Sequence, residues 1–399
     1  MTADVWADVV GQGNAVGTLR RAVAAAAAGL RRGDDAEPGH AMTHAWLITG
    51  PPGSGRSNAA RAFAAALECA DGGCGTCNDC ATALSGAHPD VTVVRTEKLS
   101  IGIGQVRDLA LRAATRPVRG RWQVIIVEDA DRITLEAANA LLKTLEEPPP
   151  RTVWVLCAPS ADNVIMTIRS RTREVRLVTP PDDAVAALLV RRDGVDGATA
   201  ARAARAAQGH IGRARALARD AQARDRRARV LALPATLTSL EACLTAASEL
   251  VDTSKKDAAA ITDPLDASER AALEEALGLS TRGTKARGAT TALNELEKEQ
   301  KLRSTRLVRD GLDRVLTELT TWYRDVLAVQ LGAVEPAGDD GPGLVNAELA
   351  DAVVAAAAAL TPEATLRRID AVLVARTRID GNVAPQLAME ALMIDLAHF

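Results

Sequence analysis

Aromatic residues are almost missing from this chain. Among 399 residues there are five Trp, two Phe and one Tyr, 2% in all. That scarcity excludes a cage of stacked rings around a ligand and a base-stacking platform for single-stranded nucleic acid. A basic excess is missing too: 48 Lys and Arg stand against 51 Asp and Glu, a formal net charge of -3. A lone nucleic-acid binder driven by charge is thereby excluded, although local basic faces remain open. No apolar run reaches the roughly 18 residues of a membrane span, so no membrane association is expected. The opening MTADVWADVVGQG has no basic start followed by an apolar stretch, and no secretory signal is expected. Six cysteines are too few for a disulfide scaffold at this length.

What is abundant is Ala, Leu and Val, residues that favour helices or fill small core gaps. At roughly 100–200 residues per domain the length suggests two to four domains. Residues 1–178 alternate helical and strand-like patterns. AWLITG (45–50), VTVVRT (91–96), QVIIVED (123–129) and TVWVLCA (152–158) read as buried strands. Helical stretches lie at 13–32, 55–69, 104–115 and 134–146. Strands alternating with helices indicate an α/β domain, a mostly parallel sheet with helices on both faces. After Pro180-Pro181 the strand signal stops. Residues 179–232 read as a small helical lid, and 233–399 as an all-α domain with a polar, loosened connection over 253–290. A long amphipathic helix is expected at 291–331, a loop at 335–343, and two closing helices, the last entered at Pro385.

Four motifs carry chemistry. GPPGSGRS, Gly50 to Ser57, follows a strand and opens a helix, the position of a phosphate-binding loop. Gly50, Gly53 and Gly55 let backbone N–H groups turn toward an anion, and the helix N-terminus adds a favourable field. Ser57 is placed to ligate Mg2+. The usual Lys is Arg56, a planar and longer cation, so this is not a conservative exchange. In IIVEDADRIT (125–134) the strand ends in Glu128-Asp129, the reverse of the Asp-Glu order that holds Mg2+ and activates water. Each carboxylate then misses its task by about one methylene. The surviving glycines and Ser57 leave open whether ATP and Mg2+ still bind without turnover.

The third motif is Cys69, Cys74, Cys77 and Cys80. Four thiolates at two-residue spacings favour a closed, structural Zn2+ site in a reducing compartment. An iron–sulfur cluster and reactive surface thiols are the alternatives. The fourth is TIRSRT (167–172), a basic pair past the last core strand. Arg171 there is placed to reach a neighbour's nucleotide as an arginine finger in trans. By itself such a pair is more often a solvated surface charge.

The order of these pieces resembles the AAA+ clamp-loader family of bacterial DNA polymerase III. VVGQGNAVGTLRRAV (9–23) is similar to its N-terminal box, GPPGSGRS and the four-cysteine insert follow, and then GAHPDV (86–91). VEDADRITLEAANALLKTLEEPP (127–149) resembles the family's N-A-L-L-K-T-L-E-E-P-P stretch. TIRSRT stands where the family has S-R-C, with Ser170-Arg171 kept and Thr172 in place of Cys. NVAPQLAMEALMIDL (382–396) is similar to the closing collar helix, while 233–380 resembles the family weakly.

Within the family the chain looks like the delta-prime branch. The gamma/tau motor branch keeps the loop Lys and the Asp-Glu order. Here Ala158-Pro159 occupies the first-sensor region, and Gly212 falls where the second-sensor Arg would align, with Arg213 one place late. The resemblance implies an AAA+ domain, a lid and a collar, and a rigid member of a five-subunit ring with gamma/tau and delta subunits. Through that ring it would act on the sliding clamp and primed DNA, with DNA contacts made only inside the assembly. It also implies no intrinsic ATPase, a finger formed by Ser170 and Arg171, structural zinc, and classification with the DNA-directed DNA polymerase as a nucleotidyltransferase. An active gamma/tau-type ATPase is the alternative.

Overall fold

The computed structural model describes residues 4–32, 41–96, 100–277, 289–334, 343–381 and 383–397. The chain forms two compact units, one ending at Arg219 and one beginning at Asp220.

The first unit runs α1 (Gly13–Arg32), β1 (Ala45–Thr49), α2 (Arg56–Glu68), α3 (Asn78–Ser85), β2 (Val91–Val94), α4 (Ile103–Ala113), β3 (Gln123–Val127), α5 (Leu135–Glu146), β4 (Thr152–Ala158), α6 (Met166–Arg169) and β5 (Arg173–Arg176). Three helices complete it: α7 (Asp182–Asp193), α8 (Gly197–Ala207) and α9 (Ile211–Arg219). All strand pairings are parallel, in the order β2-β3-β4-β1-β5. The register sets Trp46 beside Val155 on one side and Arg173 on the other. The glycine loop follows β1, which lies between β4 and the edge strand β5.

Both faces of the sheet are covered, which is why β1, β3 and β4 read as unbroken apolar runs. Alternate residues serve opposite faces. Trp46, Ile48, Val124, Ile126, Val153 and Val155 pack with α1 and α2. Ala45, Leu47, Ile125, Val127, Trp154 and Leu156 pack with α4 and α5. Trp46 meets Phe63 of α2 edge-on, with ring centroids 5.3 Å apart. These two rings, among the few in the chain, anchor the phosphate-loop helix to the sheet.

The sequence gives no sign of β5, α3 or the four-residue α6. β5 is REVR, with only Val175 buried; it is an edge strand whose exposed charges hide the strand pattern. α3 lies inside the cysteine insert and starts at Cys77, whose sulfur accepts the Cys80 N–H.

The second unit contains α10 (Ala221–Ala232), α11 (Leu240–Ala276), α12 (Ala289–Gln330), α13 (Ala350–Ala359), α14 (Pro362–Asp380) and α15 (Pro385–Leu396). α10, read from sequence as the end of the lid, packs inside this unit. Arg227 pairs with Glu318 and Glu348 and bonds Asn346. The loosened connection expected over 253–290 is helical through Ala276, and Pro264 lies within the helix. Small residues Ser254, Ala258 and Thr262 form its buried face. Past Pro264, Asp266 and Glu269 pair with Arg303 of α12. Residues 278–288 lie outside the described residues, as do 335–342 of the expected loop. Three helices, not two, close the chain, because Thr361-Pro362 ends α13 and starts α14. Among the described residues no single helix is long and apolar enough to cross a membrane.

Candidate functional site

The phosphate-type loop connects β1 to α2, as its sequence demands. Gly50, Gly53 and Gly55 all have positive φ. At Gly53 (φ 80°) a side chain is excluded twice over: by the backbone, and by His210, whose ring and Cα occupy the space a Cβ would need. The Ile211 N–H at the start of α9 donates to the Gly53 carbonyl at 3.2 Å. Gln12 of the N-terminal box ties the other side: its amide donates to the Val178 carbonyl at 2.7 Å and to the Ser54 carbonyl at 3.4 Å.

Arg56 turns back into this loop. Its Nη1 donates to the Gly50 carbonyl at 2.5 Å. Burial lowers its pKa, while Cys157, Asp131 and Asp129 act in the opposite sense. His210 is half-buried, and its pKa is also lowered, first by burial and then by the positive charges of Arg213 and Arg56. Its Nδ1 accepts the Arg213 N–H at 3.2 Å.

The acidic pair at the end of β3 splits. Glu128 is bound to Arg61 of α2 at 3.1 Å. Asp129 accepts the Thr96 N–H at 3.3 Å. Burial raises the pKa of nearby Asp131.

The cysteine insert closes on itself. Ligand atoms of Cys69, Cys74, Cys77 and Cys80 lie within 4.8 Å of one another, and this cluster is able to hold a metal ion. The Cys77 and Cys69 sulfurs are 3.8 Å apart. A tetrahedral thiolate site with Zn–S of about 2.3 Å requires sulfurs about 3.8 Å apart, so the donor set fits. Backbone N–H groups of Cys74, Cys77 and Cys80 each point at a preceding cysteine sulfur at 3.4 Å. The Thr76 N–H and hydroxyl, with the Cys77 N–H, hold the Cys74 thiol down at about 6. Gly73 (φ 112°) sits where a Cβ would come within 2.7 Å of Val5.

Beside the cluster two buried carboxyls clamp the loop before β3. Asp90 accepts the N–H groups of Val118, Arg119 and Gly120 at 2.7, 2.9 and 2.5 Å. Glu68 accepts the Arg121 N–H at 2.6 Å, and burial pushes its carboxyl up to about 8. Arg121 in turn donates to the Cys69 carbonyl at 3.1 Å.

Arg171 follows α6 on the surface of the first unit. Its Nε donates to Glu146 at 2.8 Å, and Nη2 lies 2.5 Å from the same carboxylate. Nη1 reaches the Thr167 carbonyl at 2.9 Å and the Ser170 hydroxyl at 3.2 Å. Thr172, at the family's Cys position, donates its hydroxyl to the Arg169 carbonyl at 3.0 Å. The loop, the acidic pair and Arg56 are thus brought together, while the cysteines and Arg171 form separate sites.

Residues 36–181 match the family described as DNA polymerase III, delta subunit. The resemblance to the delta-prime subunit is borne out. The DNA polymerase III subunit delta' of Pseudomonas aeruginosa is 38% identical over 151 residues, 36% of this chain and 45% of that protein. The DNA polymerase III subunit gamma/tau of Mycobacterium tuberculosis is 36% identical over 155 residues, 38% of this chain and 27% of that protein. A DNA polymerase III gamma-subunit-related structure from Thermotoga maritima aligns with 84% of this chain and 94% of its own at 18% identity, with a TM-score of 0.32. The chain spans less than half the length of these curated sequence relatives.

Against this delta-prime and gamma/tau background, four residues missed from sequence take part. Glu146 lies inside KTLEEPP, a motif whose specificity hinted at a role. His210, Arg61 and Glu68 gave no signal, because their partners are distant in the chain.

Proposed function

We propose that the chain is a delta-prime-type clamp-loader subunit that does not turn over ATP and supplies Arg171 in trans to a neighbouring gamma/tau-type motor subunit. One observation carries this reading. Arg56 is held on Gly50, His210 lies against Gly53 and Glu128 is paired with Arg61, while Arg171, held by Glu146, lies at the surface away from this loop. In this reading Arg56 and Glu128, which stand at the positions of the motor's phosphate cation and metal carboxylate, are held by Gly50 and Arg61 rather than by ATP–Mg2+.

In this reading the partners are gamma/tau and delta subunits joined through the helical second unit. The sliding clamp and primed DNA are reached only through the assembled complex, in the cytoplasm. Cys69, Cys74, Cys77 and Cys80 would hold a Zn2+ ion, which supplies a closed structural crosslink and no catalytic position.

Calorimetric titration of the isolated chain with ATP and Mg2+ tests the first half. The expectation is no tight binding and no turnover. Tight Mg2+-dependent binding with turnover favours the second reading, an active gamma/tau-type ATPase, which the intact glycine loop and Ser57 support.

A further inference from the structure

Arg171 and Glu146 are 25 residues apart in sequence, yet each is mounted on the same core. Glu146 is the last residue of α5, whose Leu141 and Leu145 are fully or almost fully buried. α6, just before Arg171, is anchored by Ile168, which belongs to the same apolar cluster as Leu141 and Leu145. Neither backbone is therefore free to drift relative to the other. Between them the guanidinium is fixed in three directions: by Glu146, by the Thr167 carbonyl and by the Ser170 hydroxyl. An isolated surface ion pair contributes little because both long side chains lose entropy. Here the planar fork meets three acceptors at once, one of them a backbone carbonyl, so less freedom remains to be lost when a phosphate arrives.

We infer that Glu146 is the positioning residue for Arg171, so that the L-E-E-P-P segment holds the finger of the S-R-x motif ready for a neighbouring subunit's nucleotide. Glu146 touches no substrate in this role; it sets the direction of the guanidinium. The inference rests on the reading of Arg171 as a finger in trans.

The test uses the complex reconstituted from the full chain and its cognate motor and delta subunits, with DNA-stimulated ATP turnover as readout. Glu146→Ala should lower kcat toward the level of Arg171→Ala, with KM for ATP little changed. Glu146→Gln, which keeps an oxygen acceptor for the Nε–H, should recover most of the loss. Glu146→Ala added to Arg171→Ala should cause no further loss. Thermal unfolding and gel filtration establish that each variant folds and assembles, and Glu146→Asp, with its carboxylate withdrawn by one methylene, provides the same kcat test should the alanine variant not assemble. If Arg171→Ala lowers turnover but Glu146→Ala leaves it at the wild-type level, this inference is overturned and the finger stands. If Arg171→Ala itself leaves turnover unchanged, the finger reading fails, and the inference with it.

Discussion

Arg56 donates a hydrogen bond to the carbonyl of Gly50 at 2.5 Å, closing the cation onto the loop that carries it. In a working phosphate loop the equivalent charge points toward the nucleotide. Here it is directed inward, and His210 covers the neighbouring turn at Gly53. The loop thus has the positive-φ glycines of a phosphate loop together with an Arg56 that bonds its own Gly50.

The packing at Gly53 is testable by itself. Gly53→Ala introduces a Cβ at φ 80° and against His210, and should lower stability by about 1–3 kcal/mol. Adding His210→Ala should return part of that loss in a double-mutant cycle on thermal unfolding. Strict additivity of the two changes would mean that His210 does not press on the loop.

Opening the loop should take more than one substitution. Arg56→Lys alone should not confer Mg2+-ATP binding, because His210 and the Glu128–Arg61 pair remain. Calorimetry on Arg56→Lys decides the point. Tight binding by that single variant would show that the arginine alone closes the site.

The cysteine cluster predicts metal content. Purified protein should carry one Zn2+ per chain by mass spectrometry, and Cys80→Ser should lose it. Because Cys69 is tied through its carbonyl to Arg121, metal loss should also raise amide exchange in the loop 118–121. Metal-free protein with unchanged stability and exchange would remove the site.

Asp90 predicts an acid dependence. Burial tends to raise its pKa, but the Val118, Gly120 and Arg119 N–H groups hold it below the ordinary carboxylate value. A carboxyl with a depressed folded pKa stabilises the fold above its unfolded pKa, near 4, and that contribution is lost as pH falls through the lower folded value. Asp90→Asn should therefore destabilise the chain by about 1–3 kcal/mol at neutral pH. The gap to wild type should close in acid. An equal gap at all pH values would contradict the assignment.

Much of this was legible in residue order. Buried parallel strands announce themselves as apolar runs, and AWLIT, QVIIV and TVWVLCA all appear where expected. Edge strand β5 does not, because three of its four residues are charged and exposed. The continuous α11 was hidden because its polar run TSKKDAAAITDP carries Pro264, while the small residues Ser254, Ala258 and Thr262 that form its buried face give only a weak apolar stripe. The same distance problem concealed His210, whose role exists only once α9 is packed against Gly53. Local chemistry is read from spacing; long-range partnership is not.

The account turns on Arg171. The most direct measurement is DNA-stimulated ATP turnover by the reconstituted complex carrying Arg171→Ala, with assembly checked by gel filtration. The account predicts an intact complex whose turnover falls severalfold, in line with the loss of one finger from the ring. Wild-type turnover in that intact complex would contradict it.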